Sequence, residues 1–444
     1  MHGVGETIEA RTMRKVIWRI VPLVTVLYLV SYIDRTNLAF AGLTMNKDLG
    51  FSPRVFGLGG SFFFVGYLML QIPGTLAINR LGARRLLMLM SLLWGVFAAG
   101  MALVWNETSF YTMRGLLGAA ESAFFPGTLF YLGLWFPAAY RTRILTIFLV
   151  ANPMASVVGF PLSAGLMMLD GTFGLAGWKW VFIGEGLPSI VLAGVVLKYL
   201  TDVPAKAYWL TADERGWLIG AMAADRASRA LGSESRIGAA MFSRPTAVLS
   251  IGYFGIIMGI YGLSLWIPQF IRQFGFTTTQ IGFVAAIPYL VASIALVLWG
   301  TRSSGKGAKA VPAAVAALVA AIGLGASTVV DTATMTMITL SIAAAGIYIA
   351  LAAFWTIPTT YFAGPAGAAV IGFVSSMGHL GGFTGPYLMG FFRELYDSFT
   401  FGLCGLAIAL LVSAMAAWSF RQMDSPPEVI GGESTQRSVR ERTT

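Results

Sequence analysis

Six ionisable residues lie inside otherwise apolar stretches of this sequence: Asp34 and Arg35, Arg114 and Glu121, Glu185, and His379. A charge at the centre of a lipid bilayer costs about 2.5–3.5 kcal/mol even on a lenient insertion scale, so such residues need partners or water. Two arginines suit a carboxylate, because the planar guanidinium pairs with it bidentately. An acid in apolar surroundings with no cation beside it is suited to taking up and releasing a proton. Carboxylate binding linked to proton movement is the chemistry this set can support. One cysteine (Cys404) and two histidines (His2, His379) leave no cluster for a disulfide framework, a zinc site, or haem or iron–sulfur ligation. No metal and no cofactor is expected, and redox or metal enzymology is not.

The elements that position these residues must cross a membrane. The 444 residues are 57% hydrophobic and 11% charged, with a mean hydropathy of +0.74, whereas soluble chains carry about 25% charge. A span takes about 20 apolar residues. Hydropathy places twelve spans near 16–41, 56–78, 86–104, 110–136, 144–168, 180–200, 247–271, 281–300, 310–330, 335–360, 369–392 and 400–420. The first is too long for a signal peptide and lacks a cleavage pattern, so it is expected to remain as an anchor. The predicted fold class is an all-α integral membrane protein of two six-helix bundles. Its parts are a tail over 1–15, a bundle over 16–200, a linker over 201–245, a second bundle over 246–421 and a disordered tail over 422–444. The linker mixes charged and apolar residues at helical spacing, as a helix lying on the membrane does. With the N-terminus inside, the inner segments hold twenty-one Lys and Arg and the outer loops five. That asymmetry predicts both termini in the cytoplasm. It accounts for the net charge of +10 without a nucleic-acid partner.

An internal repeat supports the even division. Gly50-Phe51-Ser52 with Phe56-Gly57 recurs 225 residues later as Gly275-Phe276-Thr277 with Ile281-Gly282, and the same shift carries Tyr28 to Tyr253, Gly82 to Gly307 and Arg84 to Lys309. It carries Asp34, Arg35, Arg114 and Glu121 to Gly259, Ile260, Thr339 and Gly346. A six-helix half therefore packs without these charges, which argues for function over a purely structural ion pair. Helical rise puts Asp34 within reach of Arg114 near the outer side and Glu121 about 10 Å deeper. Asp34, beside Arg35, is expected to stay charged, and Glu121, among Leu, Ala, Phe and Pro, to be the better proton carrier. An incoming carboxylate would compete with Asp34 for the arginines.

The segment Gly74-Thr-Leu-Ala-Ile-Asn79-Arg80-Leu-Gly82-Ala-Arg84-Arg85 resembles the glycine/acid/basic signature between spans 2 and 3 of the major facilitator superfamily. Thr75 stands where a glycine is usual and Asn79 where an acid is usual, which weakens the expected charge clamp. The second-half copy, Thr301-Arg302-Ser303-Ser304-Gly305, is more degraded. A narrower resemblance, to the anion:cation symporter family, runs through Tyr32-Ile-Asp34-Arg35-Thr-Asn37, Arg114-Gly-Leu-Leu-Gly-Ala-Ala-Glu121 to Pro126-Gly127, and Trp178-Lys-Trp-Val-Phe-Ile-Gly-Glu185-Gly. It continues in Asp202-Val-Pro204 to Trp209-Leu210 with Glu214, and in Tyr261-Gly-Leu-Ser-Leu-Trp266-Ile-Pro268. The resemblance implies proton symport of organic acids such as tartrate, phthalate or nicotinate by alternating access in the inner membrane, by a monomer, with substrate held midway between the halves.

The expected substrate-binding residues are Arg35, Arg114, Tyr32, Tyr67, Asn152, Tyr261, Trp355, Ser375 and His379, with Asp34 and Glu121 coupling protons. The resemblance favours Tyr32, Tyr67 and Asn152. Tyr253, Tyr261 and Gln269, eight residues apart, share a helix face; Trp355 with Ser375, Ser376 and His379 can form the C-terminal wall. Glu185 reads as structural. The glycines of Gly378-His-Leu-Gly381-Gly382-Phe-Thr-Gly385-Pro386 allow close helix approach. Proton-coupled export of drugs or metabolites, or a non-transporting receptor on the same scaffold, are the alternatives. Against export, Gly159-Phe-Pro161-Leu-Ser-Ala-Gly165 matches poorly the Gly-Pro-x-x-Gly-Gly bend usual in proton/drug antiporters.

Overall fold

The computed structural model describes residues 7–230, 237–303, 309–362 and 364–424. Helices occupy all twelve predicted spans: α1 (Ile8–Leu49), α2 (Pro53–Leu81), α3 (Ala83–Gly100), α4 (Glu107–Glu121) with α5 (Phe124–Trp135), α6 (Ala138–Met167) and α7 (Gly177–Tyr199) in the first half. The linker supplies α8 (Ala212–Ala230) and α9 (Ile237–Met241). The second half contains α10 (Arg244–Arg272), α11 (Thr278–Arg302), α12 (Ala310–Ala326), α13 (Ala333–Phe354) with α14 (Thr356–Tyr361), α15 (Gly364–Tyr396) and α16 (Thr400–Trp418). Among the described residues, nine helices are long and apolar enough to cross a membrane by length and composition, and no strand occurs. Successive spans alternate in direction, so Ile8 and Trp418 lie on one face, here the terminal face. Of the tail expected to be disordered over 422–444, residues 422–424 instead continue from Arg421 as a 3-10 turn, and the rest lies outside the described residues, as do Ser304 and Gly305 of the degraded motif copy.

The repeated Gly-Phe-Ser/Thr motif is a helix stop followed by a helix start. Gly50 and Gly275 adopt φ of 69° and 80°, which glycine reaches without a Cβ clash. Two residues later Ser52 and Thr277 accept hydrogen bonds from the N–H groups of Val55 and Gln280, capping α2 and α11. Two spans read as continuous are broken instead. Pro126 and Pro358 each lack an N–H, and each ring crowds the carbonyl four residues earlier, at Ser122 and Phe354. The fourth span accordingly breaks after Glu121 and the tenth at Trp355.

Close backbone approach joins α2 to α4: a Cβ on Gly118 would lie 1.8 Å from the Phe63 carbonyl oxygen, and one on Gly66 1.8 Å from that of Gly115. On α15, a Cβ on Gly381 would lie 2.1 Å from the Phe254 carbonyl of α10, so the glycines of this span serve packing, as expected. The acid missing from the loop between spans 2 and 3 is supplied from elsewhere. The carboxylate of Asp202, after the sixth span, accepts the Arg84 backbone N–H at 3.0 Å, while the Arg84 Nε donates to the Leu197 carbonyl at 2.7 Å.

The apolar interior falls into two clusters. One fills the terminal-face part of the first half, with Val24, Tyr28, Phe63, Trp94 and Phe124. The other takes in the far ends of α1, α6 and α7, including Phe40, Phe160 and Trp178, and runs without interruption into the second half. On α1 they are separated by buried Ser31, Asp34 and Asn37. The two halves thus share a core on the face opposite the termini. There Ser52 donates to Glu394, whose carboxylate also accepts the Arg54 N–H at 3.0 Å, and Arg272 donates to the Leu43 carbonyl.

On the terminal face α8 is pinned to α1. Glu214 accepts from Lys15 Nζ at 2.8 Å and from the Thr211 N–H at 3.0 Å, with Arg11 Nε at 3.1 Å. Burial alone would raise the Glu214 carboxyl, but the Lys15 and Thr211 hydrogen bonds and the charges of Lys15 and Arg11 outweigh it and hold it below the usual range. Arg19 adds a tie to the end of α7 and the segment before α8, donating to the Tyr208 hydroxyl at 3.1 Å with its guanidinium over Tyr199 and Trp209.

Gly118→Ala should lower stability by about 1–3 kcal/mol through overpacking, whereas Gly133→Ala, where a new Cβ meets nothing within 4 Å, should not; thermal unfolding of the detergent-purified protein checks both. Because the Glu214 carboxyl is lowered in the fold, its contribution is present at neutral pH and lost as pH falls through that lowered value. Glu214→Gln should cost about 1 kcal/mol at neutral pH, given the partly exposed cations. The difference from the parent protein should vanish in acid.

Candidate functional site

Arg35 is the centre of the polar layer. Its Nε donates to Glu121 Oε2 at 2.7 Å and its Nη1 to the Tyr261 hydroxyl at 2.9 Å. Its guanidinium carbon lies 4.6, 5.1 and 5.4 Å from the ring centres of Tyr32, Phe63 and Tyr67. These partners come from α1, α2, α4 and, across the molecule, α10. Four of the expected residues, Tyr32, Tyr67, Glu121 and Tyr261, are therefore gathered around the fifth.

Two expectations about the acids are reversed. Glu121 has a cation beside it, and it is fully buried with Oε1 unpartnered. Asp34 does not meet Arg35 or Arg114 in an ion pair. It accepts a hydrogen bond from the Ser189 hydroxyl of α7 at 3.0 Å, and its Oδ1 has no partner. The reason is helical geometry: consecutive residues diverge by about 100° at 3.6 residues per turn. Arg35 therefore faces α4 and α10 while Asp34 faces α7. An incoming carboxylate has no Asp34 to displace from Arg35.

Arg114 is the free cation of the pair. It is 3% exposed, its carbon lies 5.2 Å from the Phe63 ring, and neither Nε nor Nη1 has a partner. Beside it is a cavity of about 20 Å³ lined by Arg35, Phe63, Phe64, Tyr261, Ser264 and Pro386, among others. That volume suits about one water molecule. The lining comes from both halves.

The remaining candidates lie around this centre or away from it. His379 packs against Tyr67 at 4.6 Å and Phe64 at 6.1 Å between ring centres, with Nδ1 buried and unpartnered. Ser376 donates to Gln71 of α2 at 3.4 Å, and Ser375 is half-buried beside it. Asn152 already accepts the Tyr348 hydroxyl of α13 at 3.1 Å. Trp355, at the break of the tenth span, stacks edge-on against Tyr253 at 4.7 Å. Glu185 is buried and accepts the Ser163 hydroxyl at 2.6 Å. Sequence reasoning missed Phe63, Phe64 and Ser264. The two phenylalanines stand three and four residues before Tyr67, and that helical spacing carried the signal.

Residues 24–386 match the Major Facilitator Superfamily. A protein assigned as a tartrate transporter in Agrobacterium vitis is 42% identical over 412 residues, covering 93% of this chain and 92% of its own. A quinolone resistance transporter from Acinetobacter baumannii is 33% identical, covering 91% and 93%. Among solved structures, the xylose transporter XylE from E. coli in a partially occluded inward-open conformation superposes with a TM-score of 0.74 at 14% identity, covering 94% of this chain and 99% of its own. Twelve spans in two equivalent halves, matched along nearly the whole chain, place this protein in the major facilitator superfamily of multi-pass membrane transporters.

Proposed function

We propose that this chain imports an organic carboxylate by proton symport. The observation that carries the reading is Arg114, a buried cation with two unpartnered nitrogens beside a cavity between the halves. A fixed guanidinium of this kind supplies a bidentate carboxylate site. Arg35 is the coupling group. While Glu121 is ionised it neutralises Arg35, and a proton on Glu121 removes that partner and frees a second guanidinium donor for substrate. Arg35 also holds Tyr261 of the other half, so the same protonation bears on the contact between the rocking units. Tyr32, Tyr67 and His379 supply an aromatic and imidazole wall. The likeness to a tartrate transporter agrees with a small hydroxy acid, and the ring-lined wall with an aromatic acid such as phthalate or nicotinate.

Proton coupling is also what the driving force demands. An inside-negative potential opposes anion entry at roughly 2.3 kcal/mol per charge per 100 mV, so a dianion enters neutrally with two protons. With both termini in the cytoplasm of an inner-membrane monomer, as the Lys and Arg distribution favours, the shared core closes the outer side. The 20 Å³ cavity must widen as the halves part to admit any acid. Export is the second reading, favoured by the quinolone resistance relative.

Uptake of labelled carboxylates into proteoliposomes under an imposed proton gradient tests the reading. The parent protein should accumulate substrate. Arg114→Ala should weaken binding by about 2–5 kcal/mol, thirty-fold or more, and Glu121→Gln should bind substrate without accumulating it against a gradient. Absence of proton flux with every carboxylate sinks the proposal. Gradient-driven efflux of a quinolone without carboxylate uptake establishes export instead.

A further inference from the structure

A second group of buried acids lies apart from the arginine pair, between α1, α6 and α7. Asp34 and Ser189 form one layer of it. Asn37 and Glu185, each one helical turn farther toward the face opposite the termini, form the next, with Ser163 of α6 against Glu185. All five side chains are buried, Asn37 and Glu185 at 1% exposure. Each carboxylate receives one serine hydroxyl, and Asp34 Oδ1 and Glu185 Oε2 receive nothing. The Asn37 amide interacts with Glu185 without reaching hydrogen-bond geometry, so both of its ends are unpartnered too. Among the described residues no Lys or Arg lies within 4 Å of either acid. Arg114 and Glu121 of α4 act on Asp34 at longer range. The next layer of α3 is Ser91, whose hydroxyl donates to the Ser189 carbonyl.

Two ionised carboxylates in this setting would have no counter-charge in contact, Arg114 acting on Asp34 only from a distance, which an apolar interior does not tolerate. What Glu185 lacks is a counter-charge, since the spare donor beside it, the Asn37 amide N–H, is neutral. We propose that Glu185, with Asn37 and Ser163, is a second proton-binding site of the transport cycle. The carboxylate takes one proton at Oε2 and presents the O–H to the Asn37 carbonyl oxygen, which satisfies two unpartnered acceptors at once. On release it returns to the carboxylate and the proton passes to water. Two separate sites, Glu121 and Glu185, match the two protons a dianion needs. The inference rests on the proton-symport reading above and assigns a transport role to a residue that sequence alone presented as structural.

The test is the reversal potential of carboxylate-driven proton flux in proteoliposomes, which gives protons moved per substrate. Glu185→Gln should move one proton fewer than the parent protein. A parent protein with no proton coupling sinks the symport reading itself. A coupled parent and an unchanged count in Glu185→Gln overturn only the second site, as does a change in sodium count in place of protons. Should the variant fail to fold, infrared spectroscopy of the parent protein with isotope-labelled glutamate decides. A carboxylic acid C=O band that titrates with pH and shifts in Asn37→Ala supports the site, and a band that is absent or does not titrate overturns it.

Discussion

A guanidinium in an apolar interior must have its donors met, and the middle of this molecule is organised around that requirement at Arg35. It has five N–H donors in a fixed fork; Glu121 and Tyr261 take two of them, and three aromatic rings cover its faces. Those partners fix the relative positions of α1, α2, α4 and α10. In a low-dielectric setting each of these contacts is stronger than it would be in water, and each unmet group costs more. Arg114, two turns along α4 from Glu121, is left with nitrogens to spare. One arginine is therefore committed to the architecture, and the other keeps donors without partners.

Backbone devices bring these groups together. The Pro126 ring ends α4 at Glu121, so the acid stands at a helix terminus instead of mid-span. Gly66 and Gly118 let α2 lie against α4 with no side chain between them, which sets Phe63 under both arginines. Without that approach the aromatic floor would sit farther from the cations. The same small-residue logic seats α15 on α10 and carries His379 to Tyr67.

The polar layer also explains how the interior is divided. On α1 it separates one apolar cluster from the other; the cluster far from the termini runs on into the second half, whereas the other meets that half through half-buried Tyr261 and Phe383. The acids occupy two places in the layer. Glu121 pairs with Arg35, which also reaches Tyr261 of the other half, whereas Asp34 and Glu185 have their partners within the first half.

The sequence by itself determined the spans, their pairing into two halves and the identity of the intramembrane charges. These follow from local quantities: apolar length against bilayer thickness, the 225-residue repeat, and the insertion cost of each ionisable side chain. The repeat even marked the turn at Gly50 and Ser52, because capping is a short-range matter. Only the tertiary structure decided which acid pairs with which arginine. Depth along a helix is legible from residue count, but azimuth differs by about 100° between neighbours, and it alone sends Asp34 to Ser189 and Arg35 to Glu121. The replacement of the missing loop acid by Asp202, 118 positions from Arg84, was beyond local reading for the same reason: such partners meet only when separate helices pack.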